Sequence, residues 1–320
     1  MAGKEQVIWV LADDRAGNRA QALGVADALE LPYVIKELTY GIMVHLPNFM
    51  VPPSFAALSG ESRDQLQPPW PDLVIAAGRR TAGAARRIKK LSDGKARLVQ
   101  IMYPGGAISD FNLIAVPSHD PPVGGSNIVR VTGAPHSLGE QDFEIARSQW
   151  FPRLSALPKP HIAVMVGGST RRRQFGDAMG EELGRRASSM ASSMGGSLLV
   201  TTSRRSGDAA DKLISAISVP SAVYRWGQGG ENPYLGYLAS ADAVIVTGDS
   251  VSMCSEACAV PVPVYIYAPE GLITPKHARF HELLFSGGYA RPFGEDFTPW
   301  THSRLNAADE VANAIKNHIL

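Results

Sequence analysis

Residues 243–258 read AVIVTGDSVSMCSEAC, and this stretch indicates how the whole chain is built. The run 243–247 is apolar except for its final threonine, which is typical of a strand buried on both faces of a parallel sheet. The short turn Gly248-Asp249-Ser250 ends the strand, and a helix begins at once, because Asp and Ser are favoured N-cap residues. A strand followed so closely by a helix predicts one half of a β-α-β unit.

The same alternation of strands and helices recurs on both sides of this stretch. Helices are predicted at 19–29, 81–91 and 175–190, and the proline-rich stretch 40–70 is interpreted as a helical excursion on the first sheet. The predicted strands are 7–12, 73–77, 98–102, 113–116 and 128–131, then 161–166, 197–201, 222–226, 243–247 and 262–267. This order predicts an α/β fold with two Rossmann-like doubly wound domains that face a cleft.

A cluster of prolines suggests where the two domains meet. Pro152, Pro158 and Pro160 fall within nine residues, and proline disfavours both helix interiors and central strands. We therefore expect an N-terminal α/β domain at 1–155 and a C-terminal α/β domain at 156–320. A chain of 320 residues is long enough for two cores of about 150 residues each.

Composition excludes several classes of protein. Hydrophobic residues make up 45% of the chain and the net charge is +1, so no global field favours nucleic acid as a partner. No apolar run approaches the roughly 20 residues that span a bilayer, and the N-terminus lacks the apolar stretch of a signal peptide. A cytoplasmic protein is expected. Cys254 and Cys258 are interpreted as small packing residues at helical spacing.

The strand-turn-helix at 243–258 also predicts a ligand site. Thr247, Ser250 and Ser252 lie where a helix start faces the carboxyl edge of the sheet, a position that favours a phosphate. Glu256 falls on the helix face shared with Ser252, where a carboxylate could accept two ribose hydroxyls. The alternative is a capped helix with a solvated glutamate.

Basic residues follow two other strands of the second half. Hydroxyl groups and glycines precede them, and arginine binds phosphate through two parallel hydrogen bonds. The alternative for the arginines is an ordinary solvated face. The alternative for Trp226 is an aromatic residue of the core or of its rim. The candidate phosphate and base contacts are Gly167, Gly168, Ser169 and Arg171 after the first strand, Thr202 and Arg204 after the second, and Trp226 after the third.

Several cofactor signatures are absent from the sequence. The first strand is followed by Asp13-Asp14-Arg15-Ala16-Gly17-Asn18 rather than G-x-G-x-x-G, no Tyr-x-x-x-Lys pair occurs, and no P-loop is present. His277 and His281 are four apart, but no third metal ligand stands out. We expect no resident cofactor and no metal. Asp13 and Asp14 are candidates for a catalytic base, or one of them caps the following helix.

Several blocks together resemble one family. The resemblance is to sequence blocks of the family named after the plant elongated-mitochondria fission protein, and it is found in segments 12–24, 166–168, 201–205 and 247–253. Bacterial members of that family were once labelled predicted nucleoside-diphosphate-sugar epimerases. The order Ser250, Glu256-Ala257, Pro261 and Pro263 resembles the nucleotide-sugar site of GT-B glycosyltransferases. Asp13-Asp14 departs from the Asp-Gly expected in many relatives.

The resemblance implies a function that the residues alone do not. It implies a GT-B-like glycosyltransferase that uses a nucleotide-sugar donor, with the last helix, 306–320, crossing back onto the first domain. The residues themselves predict that such an enzyme is metal-independent, because no Asp-x-Asp pair ends a strand of the second half to hold a divalent ion. The acceptor is left open, and a lipid-linked acceptor at a membrane surface, with the protein peripheral there, is one option. The alternative is a non-catalytic GT-B-like scaffold that recruits partners at a membrane. An epimerase is the least favoured reading, because the dinucleotide motif is missing.

Overall fold

The computed structural model of the chain describes residues 6–41, 53–294 and 296–320. The chain divides into two compact units. The first comprises Met1–Ser137 together with Asn306–Leu320, and the second comprises Leu138–Leu305. Each unit contains one parallel sheet covered by helices on both faces, so the α/β class with two Rossmann-like doubly wound domains is confirmed.

The first unit is built on a sheet in the order β2-β1-β3-β4-β5-β6. Every neighbouring pair is parallel. All six residues of the first strand are buried, and successive residues such as Val10 and Leu11 enter different cores on the two faces. The strands are β1 (Ile8–Asp13), β2 (Val34–Leu38), β3 (Leu73–Ala77), β4 (Arg97–Ile101), β5 (Leu113–Pro117) and β6 (Ile128–Val131).

Helices α1 (Ala16–Leu29) and α3 (Ala82–Leu91) cover opposite faces of this sheet. The stretch 40–70, expected as a helical excursion, contains only the short helix α2 (Gly60–Asp64) and a bridge between Tyr40 and Leu58 within its described part. Residues 42–52 of that stretch lie outside the described residues.

The second unit has its sheet in the order β12-β11-β10-β7-β8-β9, again with parallel pairing. The strands are β7 (His161–Val166), β8 (Ser197–Thr202), β9 (Ser221–Tyr224), β10 (Ala243–Thr247), β11 (Val264–Tyr267) and β12 (Arg291–Pro292). The helices are α4 (Glu140–Leu154), α5 (Asp177–Ser193), α6 (Ala209–Ser215), α7 (Tyr234–Ala239), α8 (Val251–Ala257) and α9 (Pro275–Ser286).

The proline-rich segment and the last helix fall on particular sides of the division. Residues 151–160 lie inside the second unit, because α4 continues through Pro152 and buries Trp150 and Leu154 in that unit's core. The last helix, α10 (Ala307–His318), belongs to the first unit, where Val311 and Ile315 pack in the same core as α1. The chain therefore crosses between units once before α4 and once after Leu305.

Each sheet has one point at which the direction of winding reverses. It lies between β1 and β3 in the first unit and between β7 and β10 in the second. In doubly wound folds, ligands bind outside the carboxyl ends of the strands at such switch points. No helix in the described part of the chain is both long and apolar enough to cross a membrane.

Candidate phosphate site in the second unit

The loops that follow β7 and β10 are tied together at the switch point of the second sheet. The backbone N–H of Gly167 donates to Thr247 Oγ1 over 2.7 Å, and the N–H of Gly168 donates to Asp249 Oδ2 over 3.0 Å. Thr247 and Asp249 are both buried. The last residue of β10 and a residue of the turn that follows it therefore fix the backbone of the neighbouring glycine loop.

Both glycines are required by close contacts. A Cβ on Gly167 would lie 2.5 Å from both carboxylate oxygens of Asp249. Gly168 has a φ of +138°, and a Cβ there would lie 2.2 Å from the carbonyl oxygen of Arg205. Packing alone requires glycine at position 167, whereas both packing and backbone conformation require it at position 168. The glycine loop is thus closed against the loops after β8 and β10.

The loop after β8 makes the third part of this arrangement. Ser203 Oγ and Ser206 Oγ both donate to the carbonyl oxygen of Gly167, the latter over 2.7 Å. Ser169 N donates to the carbonyl of Arg205 over 2.9 Å, and Ser169 Oγ accepts from Phe175 N over 3.0 Å. These bonds satisfy backbone groups of the loops after β7 and β8, so the two loops are held in one conformation.

Asp249 and Arg205 form the charged centre of the site. Arg205 Nη1 lies 2.6 Å from Asp249 Oδ2 and also donates to the carbonyl of Gly168 over 3.1 Å. The side chain of Asp249 has no solvent exposure, and its Oδ1 has no hydrogen-bond partner among the residues that the structure describes. A buried carboxylate oxygen with no partner is rare and indicates a place for a further donor.

Other arginines at this edge are free of carboxylates. Arg171, Arg172 and Arg204 are exposed, and none forms an ion pair within the described ranges 6–41, 53–294 and 296–320. The sequence predicts phosphate contacts from Arg171 and Arg204. It does not predict a role for Arg205, which binds the loops. Three unpaired guanidinium groups beside glycine-rich loops form a cationic edge that suits a phosphate.

The start of α8 is more occupied than the sequence suggested. Ser250 caps the helix by accepting from Met253 N over 3.4 Å, and the helix has only seven residues. Ser252 is half-buried in the first turn. The cap therefore already satisfies one of the backbone N–H groups at the start of α8 that a phosphate would use. The glycine loop and the arginines are left as the main candidates for binding an anion.

Glu256 is held by a tyrosine that the sequence reasoning did not find. Tyr234 Oη donates to Glu256 Oε2 over 2.6 Å. Burial raises the pKa of Glu256 above its ordinary value, against the lowering effect of this hydrogen bond. Burial, together with the negative charge of Glu256, raises the pKa of Tyr234 far above its usual range. The solvated glutamate considered as the alternative is therefore not observed.

Thr202 and Trp226 are joined at the ends of β8 and β9. Thr202 is buried, and its Oγ1 accepts from Trp226 N over 2.9 Å. Trp226 is 49% exposed, although it is a large hydrophobic residue, so it remains accessible to a ligand near the strand ends. An open aromatic ring on a fixed backbone is the geometry that stacking on a nucleobase requires.

The two histidines of α9 serve the fold around Gly248. The His281 ring lies with Nε2 3.0 Å from the carbonyl oxygen of Gly248, and burial lowers its pKa to about 4. His277 caps the start of α9 with Thr274. Over the described residues, no group of three or more His, Cys, Asp or Glu side chains is arranged to hold a metal ion. Cys254 and Cys258 are buried in the core, and both are free thiols.

Asp13 and Asp14 lie at the switch point of the first unit and differ from each other. Asp13 is buried, and its oxygens accept from Arg15 N over 3.0 Å and from Asn18 Nδ2 over 2.9 Å. Asp14 is exposed over 43% of its side chain and pairs with Arg80 Nη2 at 2.7 Å. Asp13 thus organises the turn before α1, and Asp14 is the carboxylate that a ligand can reach.

The surroundings set opposite pKa shifts on the two carboxyls. Burial raises the pKa of Asp13, although bonds from Asn18 and Arg15 oppose it. Burial is the largest influence on the pKa of Asp14 and acts to raise it, but hydrogen bonds from Arg80 and Asp13 and the nearby positive charges together lower it, so the net shift is downward. The Arg80 guanidinium also lies 4.0 Å from the ring centre of Tyr40. Arg80 therefore stabilises the charged form of Asp14.

The family model of mitochondrial fission ELM1 matches residues 16–319. An uncharacterized protein of Rickettsia prowazekii is 31% identical, and the match covers 97% of each chain. The mitochondrial fission protein ELM1 of Arabidopsis thaliana is 29% identical, and the match covers 81% of this chain and 66% of that relative. These matches agree with the resemblance inferred from the sequence blocks.

Solved structures share the fold. The UDP-GlcNAc 2-epimerase of Neisseria meningitidis bound to UDP-GlcNAc has a TM-score of 0.53 and 11% identity, covering 98% of this chain and 92% of that chain. AviGT4, a glycosyltransferase involved in avilamycin A biosynthesis, has a TM-score of 0.52 and 13% identity, covering 98% of this chain and 96% of that one. At such identities the likeness shows the GT-B-like fold alone.

Proposed function

We propose that this chain, which belongs to the mitochondrial fission ELM1 family, is a metal-independent glycosyltransferase that takes a nucleotide-sugar donor in its second unit. The diphosphate lies against the glycine loop Gly167-Gly168 and the cationic edge formed by Arg171, Arg172 and Arg204. The acceptor belongs to the first unit in this proposal, on the side of Asp14.

The observation that carries the proposal is the contrast among the arginines at the switch point. Arg205 is neutralised by the buried Asp249, whereas Arg171, Arg172 and Arg204 have no carboxylate partner in the described part of the chain. Cations gathered without counter-charges at a cradle of glycine and hydroxyl groups favour an anion with several oxygens. A diphosphate has that chemistry and that extent.

The remaining contacts suit the rest of a nucleotide. Glu256, held by Tyr234, presents a fixed carboxylate for ribose hydroxyls, and Trp226 presents an open ring for a base. The solved epimerase of the same fold is bound to UDP-GlcNAc, which supports a nucleotide sugar as the class of ligand. The charge of a leaving diphosphate would be met by arginine and backbone N–H groups.

For the sugar-transfer step, the proposal assigns the role of general base to Asp14. Its exposure lets it reach an acceptor hydroxyl, and Arg80 holds it in its charged form. Asp13, whose two oxygens are already occupied by Arg15 N and Asn18 Nδ2, acts as a positioning residue. A lipid-linked acceptor at a membrane surface remains within this proposal as a class of substrate.

A second candidate is a partner-recruiting protein that keeps the fold without catalysis. The name of the Arabidopsis relative, a mitochondrial fission protein, favours it, because that name describes a membrane-remodelling process rather than a reaction. Such a protein could retain the nucleotide site. It would not turn over a nucleotide sugar.

Thermal unfolding with a panel of UDP, ADP, GDP and their sugar conjugates tests the proposal, since a ligand that binds only the folded state raises Tm. Stabilisation by one nucleoside diphosphate, with release of that diphosphate from its sugar conjugate on incubation, supports the transferase. Stabilisation without release favours the recruiting protein. No stabilisation by any nucleotide overturns the site itself.

A further inference from the structure

A cavity of about 360 Å³ opens at the amino ends of β7 and β10, at the opposite edge of the second sheet from the glycine loop. Its walls are formed by the last turn of α4, the segment that follows it, and the end of α7. Cavities that bind small molecules start at about 300 Å³. This cavity is thus large enough for one small ligand.

Much of the wall is apolar. Phe151 is 64% exposed, although it is a large hydrophobic residue, and it lines the cavity together with Ala239 and Ala241. Leu154, which is buried, and Leu157, which is half-buried, also line it. An exposed phenylalanine at the rim of an apolar recess loses water-exposed area when a ligand with an apolar body enters.

Two polar atoms in the wall are buried without partners. His161 is 5% exposed, and its Nδ1 has no hydrogen-bond partner among the residues that the structure describes. Ser240 Oγ is in the same condition within that part of the chain. Buried polar atoms left unpaired cost about 1–3 kcal/mol each, so a polar ligand group that drew either side chain toward the cavity would relieve that cost.

The charges at the cavity favour an anion. Arg147 donates from Nε to the carbonyl of Ala239 over 2.8 Å, which fixes the guanidinium at the rim. No carboxylate within the described ranges pairs with it. Asp242 is balanced by Lys159, whose Nζ lies 3.8 Å from Asp242 Oδ1. One positive charge is therefore left over at the mouth of the cavity.

We propose that this cavity binds a small amphipathic carboxylate, a short fatty acid being the simplest member of the class. The chain lies against Phe151 and Leu154, and the carboxylate accepts from Arg147 and Ser240 Oγ. An apolar recess with a few converging polar groups is the usual form of a small-molecule site. The cavity lies at the amino edge of the sheet, so its ligand is bound independently of a nucleotide at the carboxyl edge.

Isothermal titration with octanoate, octanol and acetate tests the proposal on the full chain. Octanoate is expected to bind with a stoichiometry of one, while octanol lacks the charge and acetate lacks the apolar body, so both bind much more weakly. Arg147→Gln is expected to weaken octanoate about tenfold or more, since a charge-assisted hydrogen bond is lost. Its control is Arg153→Gln, which removes an exposed arginine of the same helix that does not line the cavity.

A second pair of variants tests the place of binding. Ser155 lines the cavity at the end of α4, and Ser148 is exposed on the same helix outside it. Ser155→Phe is expected to fill the cavity and abolish octanoate binding, whereas Ser148→Phe leaves it unchanged. The proposal is overturned if octanoate gives no saturable heat, or if the cavity variants and their controls bind it equally.

Discussion

Arg205 Nη1 lies 2.6 Å from Asp249 Oδ2, and this ion pair joins the loop after β8 to the loop after β10. The same carboxylate oxygen accepts from Gly168 N, so one buried atom fixes three loops of the second unit. Because Asp249 neutralises Arg205, an anion at this edge would instead meet arginines such as Arg171, Arg172 and Arg204, which have no ion pair among the residues that the structure describes. The ion pair therefore holds the three loops in place, and the neighbouring arginines supply the positive charge for an anion.

Replacing Asp249 by asparagine is expected to destabilise the second unit by about 2 kcal/mol, because removing one partner of a buried pair leaves the other charge uncompensated. The estimate is below the value for a fully buried pair, since the Arg205 side chain is 32% exposed. Urea unfolding measures the change. Asp211→Asn is the control, because its pair with Arg225 is exposed and its loss should leave the midpoint unchanged.

Glu256→Gln is expected to separate stability from ligand binding. The amide oxygen can still accept from Tyr234, and no charge is buried, so the variant should be at least as stable as the parent at pH 7. Nucleoside diphosphate affinity should fall about tenfold through loss of the charged acceptor for ribose hydroxyls. An unaltered affinity in calorimetry would remove Glu256 from the site.

The pH dependence of stability gives an independent measure of Glu256. Its pKa in the folded protein is raised by burial, so the folded state binds a proton more readily than the unfolded state. Stability then falls as the pH rises from about 4.3, the ordinary glutamate value, through the raised value, and is flat above it. Glu256→Gln should remove this fall, which urea midpoints across the pH range would show.

The strands could be predicted because burial on both faces leaves an unbroken apolar run, as in β1, β7 and β10. The sequence does not predict β2, since Val34 and Ile35 are exposed at the edge region of the sheet and the charged residues Lys36 and Glu37 interrupt its apolar run. The strand-end loops of the site were predicted for a topological reason: parallel strands present their carboxyl ends at one edge.

The pairing of side chains within those loops was beyond the sequence. Arg204 and Arg205 are adjacent, and only the contact with Asp249 decides which of them is neutralised. Tyr234, at the start of α7, precedes Glu256 on α8 by 22 residues and meets it only in the folded structure. No spacing rule connects two side chains that tertiary contact alone brings together.

Asp13 and Asp14 are expected to respond differently to the same substitution. In Asp13→Asn the amide nitrogen would face Asn18 Nδ2, placing two donors together or costing a bond, so a stability loss of about 1–2 kcal/mol is expected. Asp14→Asn should also lower stability, because Arg80 is only 13% exposed and loses its 2.7 Å partner. At a temperature where the variant is folded, UDP affinity should be unchanged, but release of UDP from UDP-GlcNAc should slow by at least about 10²-fold, as loss of a general base does. Equal rates for Asp14→Asn and the parent would exclude Asp14 as the base.

Trp226 should contribute a stacking surface. Trp226→Ala is expected to weaken UDP binding about tenfold, since stacking of a base on an aromatic ring contributes about 1–3 kcal/mol. Trp226→Phe, which keeps a ring on the same backbone, should recover most of the affinity. Titration calorimetry compares the three proteins, and a Phe variant as weak as the Ala variant would argue against stacking.

Donor binding is expected to survive EDTA, because arginine and backbone N–H groups meet the charge of the diphosphate and Asp249 is already engaged with Arg205 and Gly168 N. Arg204→Ala should weaken UDP about tenfold, and more than Asp249→Asn does, since the free cation contacts the ligand while the buried carboxylate shapes the loop. Arg225→Ala, which removes an arginine already paired with Asp211, is the matched control and should bind normally.

Calorimetry at a temperature where every variant is folded, with EDTA in one series and Mg²⁺ or Mn²⁺ in the other, tests both expectations. Strict dependence on either ion would refute the metal-independent site, and an Arg204→Ala protein that binds as tightly as Arg225→Ala would show that the cationic edge does not hold the diphosphate.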